Sequence, residues 1–212
     1  MFKKKKSNSS NGGARTKNRK RSGSYLDASR RKRRKYLMIL IPIIAAVVAI
    51  LAVSASRYSS EVNKFGTVGS AHEHAAFVIN VNGTPIDFGQ DRYQVQSRLI
   101  HVEGGDGFTL HRHTDRVPFG EFLRSVGMGI ENSCFLVTEE VAGQQGQGQE
   151  YCSNGQENLK VFVNGNELDA PSSISDYILK EDDRILVLYG NQTADQLSQE
   201  LNVLEELPIL KT

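Results

Sequence analysis

The 212-residue chain has no histidine outside positions 72–113, no charge between Tyr36 and Ser56, and only two cysteines. Each shortage excludes something. A stretch this long without a charge argues against a buried core helix, which is rarely so uniformly apolar. Cys134 and Cys152 do not form a Cys-x-x-Cys pair, so the usual thioredoxin-like dithiol is missing. Residues 1–36 contain a single acid, Asp27, and no aromatic residue falls between Lys3 and Arg21. A basic segment without interleaved aromatics, abutting an apolar run, argues against nucleic-acid binding.

Two halves of opposite charge are present. Residues 1–36 hold fifteen Lys/Arg, a formal +14, while the remainder is a formal −12. The first 35 residues are too polar to bury a core, which predicts a disordered basic tail with affinity for anionic lipid head groups. Residues 36–56 are long enough and apolar enough to predict a single transmembrane helix, with Pro42 near one end. The cluster Arg30 to Lys35 directly precedes it, so the positive-inside tendency places the N-terminus in the cytoplasm and the remainder outside the membrane. Val53-Ser-Ala55 also offers a signal-peptidase site, and cleavage after Ala55 is the alternative; both readings export the chain from residue 57 onward.

The exported part reads as a polar stalk over 57–70, an α+β domain over 71–191 and an amphipathic C-terminal helix over 192–212. Residues 76–81 are β-rich, Asn82-Gly83 is a hairpin signal, and 84–88 is the returning strand. Strands are also expected over 98–103, 108–113 and 135–137, with a Gly-rich turn over 104–107. Phe119, Phe122, Leu123 and Val126 recur at helical spacing, and Gly127 can end that helix. Residues 143–149 read as a mobile Gly/Gln loop. Residues 159–163, the second hairpin signal Asn164-Gly165, a short helical segment over 175–180 and the apolar strand 184–189 suggest a β-grasp-like second half. Thr193 and Gln196 form a capping-box pattern ahead of the stripe Leu197, Leu201, Val203 and Leu204, which faces either its own domain or a partner or membrane surface.

All five histidines, His72, His74, His101, His111 and His113, lie within 42 residues. Four form two His-x-His pairs, and the fifth stands in His101-Val-Glu103. On a strand, residues i and i+2 share a face about 6.6 Å apart. Two imidazoles so placed can share an ion at about 2.0–2.1 Å. If the three segments adjoin, five imidazoles and the Glu103 carboxylate converge on one patch. Neutral imidazoles suit copper, zinc, nickel or iron. Structural hydrogen bonding and a pH switch are the other uses such residues have. An open position on the ion would permit hydrolysis by a bound water, although no supporting acid is identifiable in the sequence.

An even pair of cysteines in an oxidising compartment predicts a structural Cys134–Cys152 disulfide. Asn82-Gly-Thr84 and Asn191-Gln-Thr193 match the glycosylation sequon, making Asn82 and Asn191 candidate acceptors.

Taken together, His72-Glu-His-Ala75, the run from His101 to His113, Phe119 to Met128, Cys134 with Tyr151-Cys152, Leu159 to Gly165 and Asp183 to Gly190 resemble a family of small membrane-anchored archaeal proteins. These are common in ammonia-oxidising archaea and often labelled protein-disulfide isomerase. The resemblance covers 71–191. It implies location, lineage and, by association with such organisms, copper. The absence of Cys-x-x-Cys departs from the isomerase label. The expectation is an extracytoplasmic module holding copper or zinc for storage, delivery or a complex with a membrane-protein partner. The alternatives are a scaffold with structural histidines, a thiol–disulfide exchanger, or a metal-dependent hydrolase.

Overall fold

A computed structural model describes residues 25–138 and 148–211, with side chains from 33 onward. The expected tail disorder over 1–24 and most of the expected loop over 143–149 lie outside the described residues. The chain divides into two compact units, Met1–Ser54 and Ala55–Thr212.

Helix α1 (Tyr25–Phe65) exceeds the expected span at both ends. It begins inside the stretch read as disordered tail and continues into the stretch read as stalk. Extending an existing helix adds a hydrogen bond per residue without a new nucleus, and Arg, Lys, Leu and Ala are good helix formers. Every residue from Arg33 to Ser60 is exposed, the apolar run included. The helix is long and apolar enough to cross a membrane, a test that a signal sequence also passes.

The C-terminal end of α1 is fixed by specific contacts within the second unit. Phe65 is buried, and the Arg116 guanidinium donates to the carbonyls of Val62 and Asn63, both at 3.2 Å. A cation on the last carbonyls suits the negative end of a helix. Gly66 comes next at φ +93° and turns the chain away.

The main sheet has seven strands: β1 (Glu73–Val81), β2 (Thr84–Pro85), β3 (Ile100–His101), β4 (Thr109–Arg112), β8 (Asn158–Val163), β9 (Asn166–Glu167) and β10 (Arg184–Gly190). Their order is β3-β4-β1-β10-β8-β9, with β2 also on β1. The central pair, β1 and β10, is parallel. Its apolar density follows from burial on both faces. The strands after 158 pair with one another, β9 on β8 and β8 on β10, and join the first half through β1. Both Asn-Gly hairpins form: Asn82 and Gly83 have φ of 53° and 78°, and Asn164 and Gly165 have 51° and 76°, the two positive values a type I′ turn requires. The strand returning from the first is only two residues long, and beyond it the Ile86 N–H still donates to the Ile79 carbonyl at 2.8 Å; Pro85 is tolerated because its position faces away from the ladder.

One face of the sheet carries Phe77, Ile79, Val161, Ile185 and Val187. It is covered by α2 (Phe119–Ser125), by a 3-10 turn (Pro171–Asp176) and by a three-stranded sheet of β5 (Met128–Glu131), β6 (Cys134–Val137) and β7 (Gln149–Cys152). The rings of Phe77, Phe88 and Phe122 meet there at 5.0–5.6 Å. The opposite face carries Ala76, Phe162, Leu186 and Leu188. It is covered by α3 (Ala194–Glu206) through Leu197, Leu201 and Leu204. The expected capping box at Thr193 and Gln196 is formed. Val203, read as part of the inward stripe, is 55 % exposed, because it sits about 100° round the helix from Leu204.

Candidate metal centre

The pleat places the histidines. β4 lies between β1 and β3, and the antiparallel registers set His74 opposite His111 and His101 opposite the same His111. Three imidazoles thus stand in one row across three strands. The row is on the face that Ala76 and α3 share, since positions 74 and 76 point the same way. His72 and His113 lie one residue beyond the ends of β1 and β4, and their rings pack against those of His74 and His101 at the end of this face. Ring centroids are 4.7 Å apart for His72–His74, 5.0 Å for His72–His113, 5.0 Å for His74–His111 and 4.9 Å for His101–His113. All five sequence-predicted histidines therefore meet in one cluster. His74, His101 and His111 are buried, while His72 is exposed at the rim.

Among the described residues, His72, His74 and His111 form a group whose donor atoms lie within 4.8 Å of one another. Two nitrogens bound to one tetrahedral ion stand roughly 3.3 Å apart, so small ring rotations bring the three into reach of one ion. His74 Nε2 and His111 Nδ1 are buried in this cluster without a hydrogen-bond partner. Buried polar atoms are ordinarily satisfied. A bare imidazole nitrogen among other imidazoles is what a metal ligand presents.

The two other predicted donors are adjacent. His101 Nδ1 lies 2.6 Å from the Ser97 carbonyl oxygen and donates to it, since a carbonyl can only accept. That leaves Nε2 facing the Glu103 carboxylate at 3.2 Å. The other Glu103 oxygen lies 3.8 Å from His111 Nδ1. Burial lowers the pKa of His111 against the opposing pull of Glu103. Burial and the neighbouring imidazoles of His101, His72 and His111 push His113 down to about 4. Both shifts favour the neutral ring, whose lone pair is available to a cation.

Glu181 is a member of this site with no signal in the sequence. It sits in the polar turn ahead of β10, and only the parallel β1–β10 pairing brings it to His74. Its Oε2 accepts from the His74 backbone N–H at 2.7 Å and from Nδ1 at 3.3 Å. Its Oε1 pairs with Lys211 Nζ at 2.7 Å. Burial by itself would raise this carboxyl, but the hydrogen bonds from Lys211 and His74 outweigh it and hold the pKa at about 2.

The remaining predicted residues lie elsewhere. Cys134 and Cys152 are directly opposite on β6 and β7, with Cα atoms 4.0 Å apart, and are joined in a disulfide. Asn82 and Asn191 are exposed and line one polar cleft of about 590 Å³ beside α3. Compared with known protein families, with curated proteins and with solved structures, the chain matches none.

Proposed function

We propose that this chain is a membrane-anchored module that binds a transition-metal ion through His72, His74 and His111, with His101, Glu103 and His113 as neighbouring donors. The observation that carries the reading is the convergence of three imidazoles whose donor atoms lie within 4.8 Å, two of them buried with unpartnered nitrogens. A nitrogen and oxygen donor set without thiolate suits copper or zinc, the two ions this proposal names. The exposed rim at His72 gives an ion a way in and out, which fits storage or delivery better than a sealed structural role.

The exposed apolar surface of α1 supports a lipid-embedded anchor. The Arg/Lys cluster ahead of it supports a cytoplasmic N-terminus against anionic lipid, a module outside the membrane, and a membrane-protein partner for the ion. The pairing of β9 on β8 and β8 on β10, with the 3-10 turn between β9 and β10 in sequence, supports a β-grasp-like second half. Membership of the archaeal membrane-anchored family is part of the same proposal.

The test uses the full chain purified in detergent, stripped with a chelator and titrated with Zn²⁺ or Cu²⁺ against a chromophoric competitor. The expected result is a stoichiometric ion in the wild type and its loss in the double variant His74→Ala, His111→Ala. Equal, substoichiometric metal in both proteins would end the proposal. Protease accessibility of the chain in sealed vesicles tests the orientation separately.

A further inference from the structure

One particular nitrogen of His74, Nε2, is buried in the cluster without a hydrogen bond. An imidazole has two nitrogens, and a neutral ring carries its proton on one of them. Which one is set by the hydrogen bond the other makes.

We infer that Glu181 is the positioning residue of this site, fixing His74 in the Nδ1–H tautomer so that Nε2 is offered to the ion, with Lys211 holding the carboxylate in place. The inference rests on the proposed metal site and deepens it. Glu181 is paired with a lysine and stands at the surface, so at neutral pH it is a carboxylate and only accepts. The His74 Nδ1 that faces it at 3.3 Å therefore carries the proton. The lone pair is then on Nε2, the atom that is buried without a partner inside the cluster.

The contact is rigid on both sides. The oxygen that accepts from the His74 ring also accepts from the His74 backbone N–H at 2.7 Å, and the Asp182 N–H donates back to the His74 carbonyl at 2.8 Å. The ring, the strand and the turn before β10 are tied at one residue. Lys211 bridges Glu181 and Asp182 at 2.7 and 2.8 Å. The segment that carries it is itself pinned to the sheet, because Leu210 N–H donates to Thr109 Oγ1 at 3.1 Å. The chain end after α3 thus braces the carboxylate that stands behind His74. A carboxylate behind a ligating imidazole raises its basicity as well as its order, and losing such a partner typically costs about 10–100-fold in metal affinity.

Two measurements on the full chain in detergent test this. The first is the ¹⁵N–¹H correlation spectrum of the histidine rings without metal. It is expected to show His74 protonated at Nδ1, and to lose that preference in Glu181→Ala while the other rings keep theirs. The second is Zn²⁺ affinity. Glu181→Ala is expected to bind about 10–100-fold more weakly, Glu181→Gln to fall between the two because its amide oxygen still accepts, and Lys211→Ala to show a smaller loss. A His74 ring protonated at Nε2 in the wild type, or a Glu181→Ala protein binding within about twofold of the wild type, would overturn the assignment. The ring spectrum needs no metal, so a wild type that binds no Zn²⁺ removes the proposed function and is told apart from a wrong tautomer.

Discussion

His74 and His111 face each other across the β1–β4 pair, with ring centroids 5.0 Å apart and one nitrogen of each buried without a hydrogen bond. Two such nitrogens in one pocket are an energetic burden on the metal-free fold. An unsatisfied buried polar group costs about 1–3 kcal/mol, and a shared cation relieves both at once.

That relationship predicts metal-dependent stability. A ligand that binds only the folded state stabilises it by about 2.7 kcal/mol at a hundredfold excess over Kd. Zn²⁺ or Cu²⁺ should therefore raise the melting temperature of the wild type. It should leave that of the His74→Ala, His111→Ala protein unchanged, as read by calorimetry with and without chelator.

The close approach of α2 to the 3-10 turn predicts intolerance at one glycine. A Cβ on Gly120 would lie 2.5 Å from the Ser175 carbonyl oxygen, which is backbone and has little room to yield. Gly120→Ala should cost about 1–3 kcal/mol through forced separation of the two elements. Gly129 on β5 has open space at the same position, so Gly129→Ala should change stability by less than about 0.5 kcal/mol. Denaturant midpoints of the two variants give the comparison.

Removing the disulfide should weaken the fold without touching the metal centre. The bridge joins β6 to β7 over a sequence separation of 18, and such a loop is worth about 3 kcal/mol on the chain-entropy model. Cys134→Ser, Cys152→Ser should lose about that much in urea denaturation and keep its Zn²⁺ affinity. A structural bridge should also resist reduction, with a potential below about −300 mV. A markedly higher value in a redox titration would favour thiol–disulfide exchange instead.

Tyr177 predicts a loss of stability at high pH. Its hydroxyl donates to the Asp183 carboxylate at 2.8 Å, and burial together with that bond pushes its pKa up to about 12. A pKa raised above the unfolded value of about 10 means the contribution is complete below pH 10 and is lost as pH climbs from there to 12. The stability advantage of the wild type over Tyr177→Phe should shrink across that window and stay constant from pH 7 to 9. Urea midpoints of both proteins at each pH are the measurement.

Local periodicity is readable from residues alone. Phe119, Phe122 and Leu123 repeat at helical spacing and all are buried on α2, and both Asn-Gly turns form because asparagine and glycine tolerate positive φ. The His-x-His spacing gives two same-face pairs for the same reason, a strand period of two. The end of α1 is not readable, because Arg116, 53 residues beyond Asn63, supplies the donors that hold its last carbonyls. Val203 departs from its expected burial because a repeat at three and four residues tolerates neighbours whose true angle lies off the stripe.

What the residues determined unaided is which chemistry is present: a long uncharged helix, five imidazoles in one window, two cysteines and two tight turns. These come from composition and from interactions that reach a few positions along the chain. Which of those groups meet was decided only by strand order. His101 came to His111, Glu181 to His74 and Lys211 to Glu181 through contacts between distant segments, whose register depends on burying both faces of β1 and β10 at once. That condition belongs to the assembled sheet and to no stretch of chain within it.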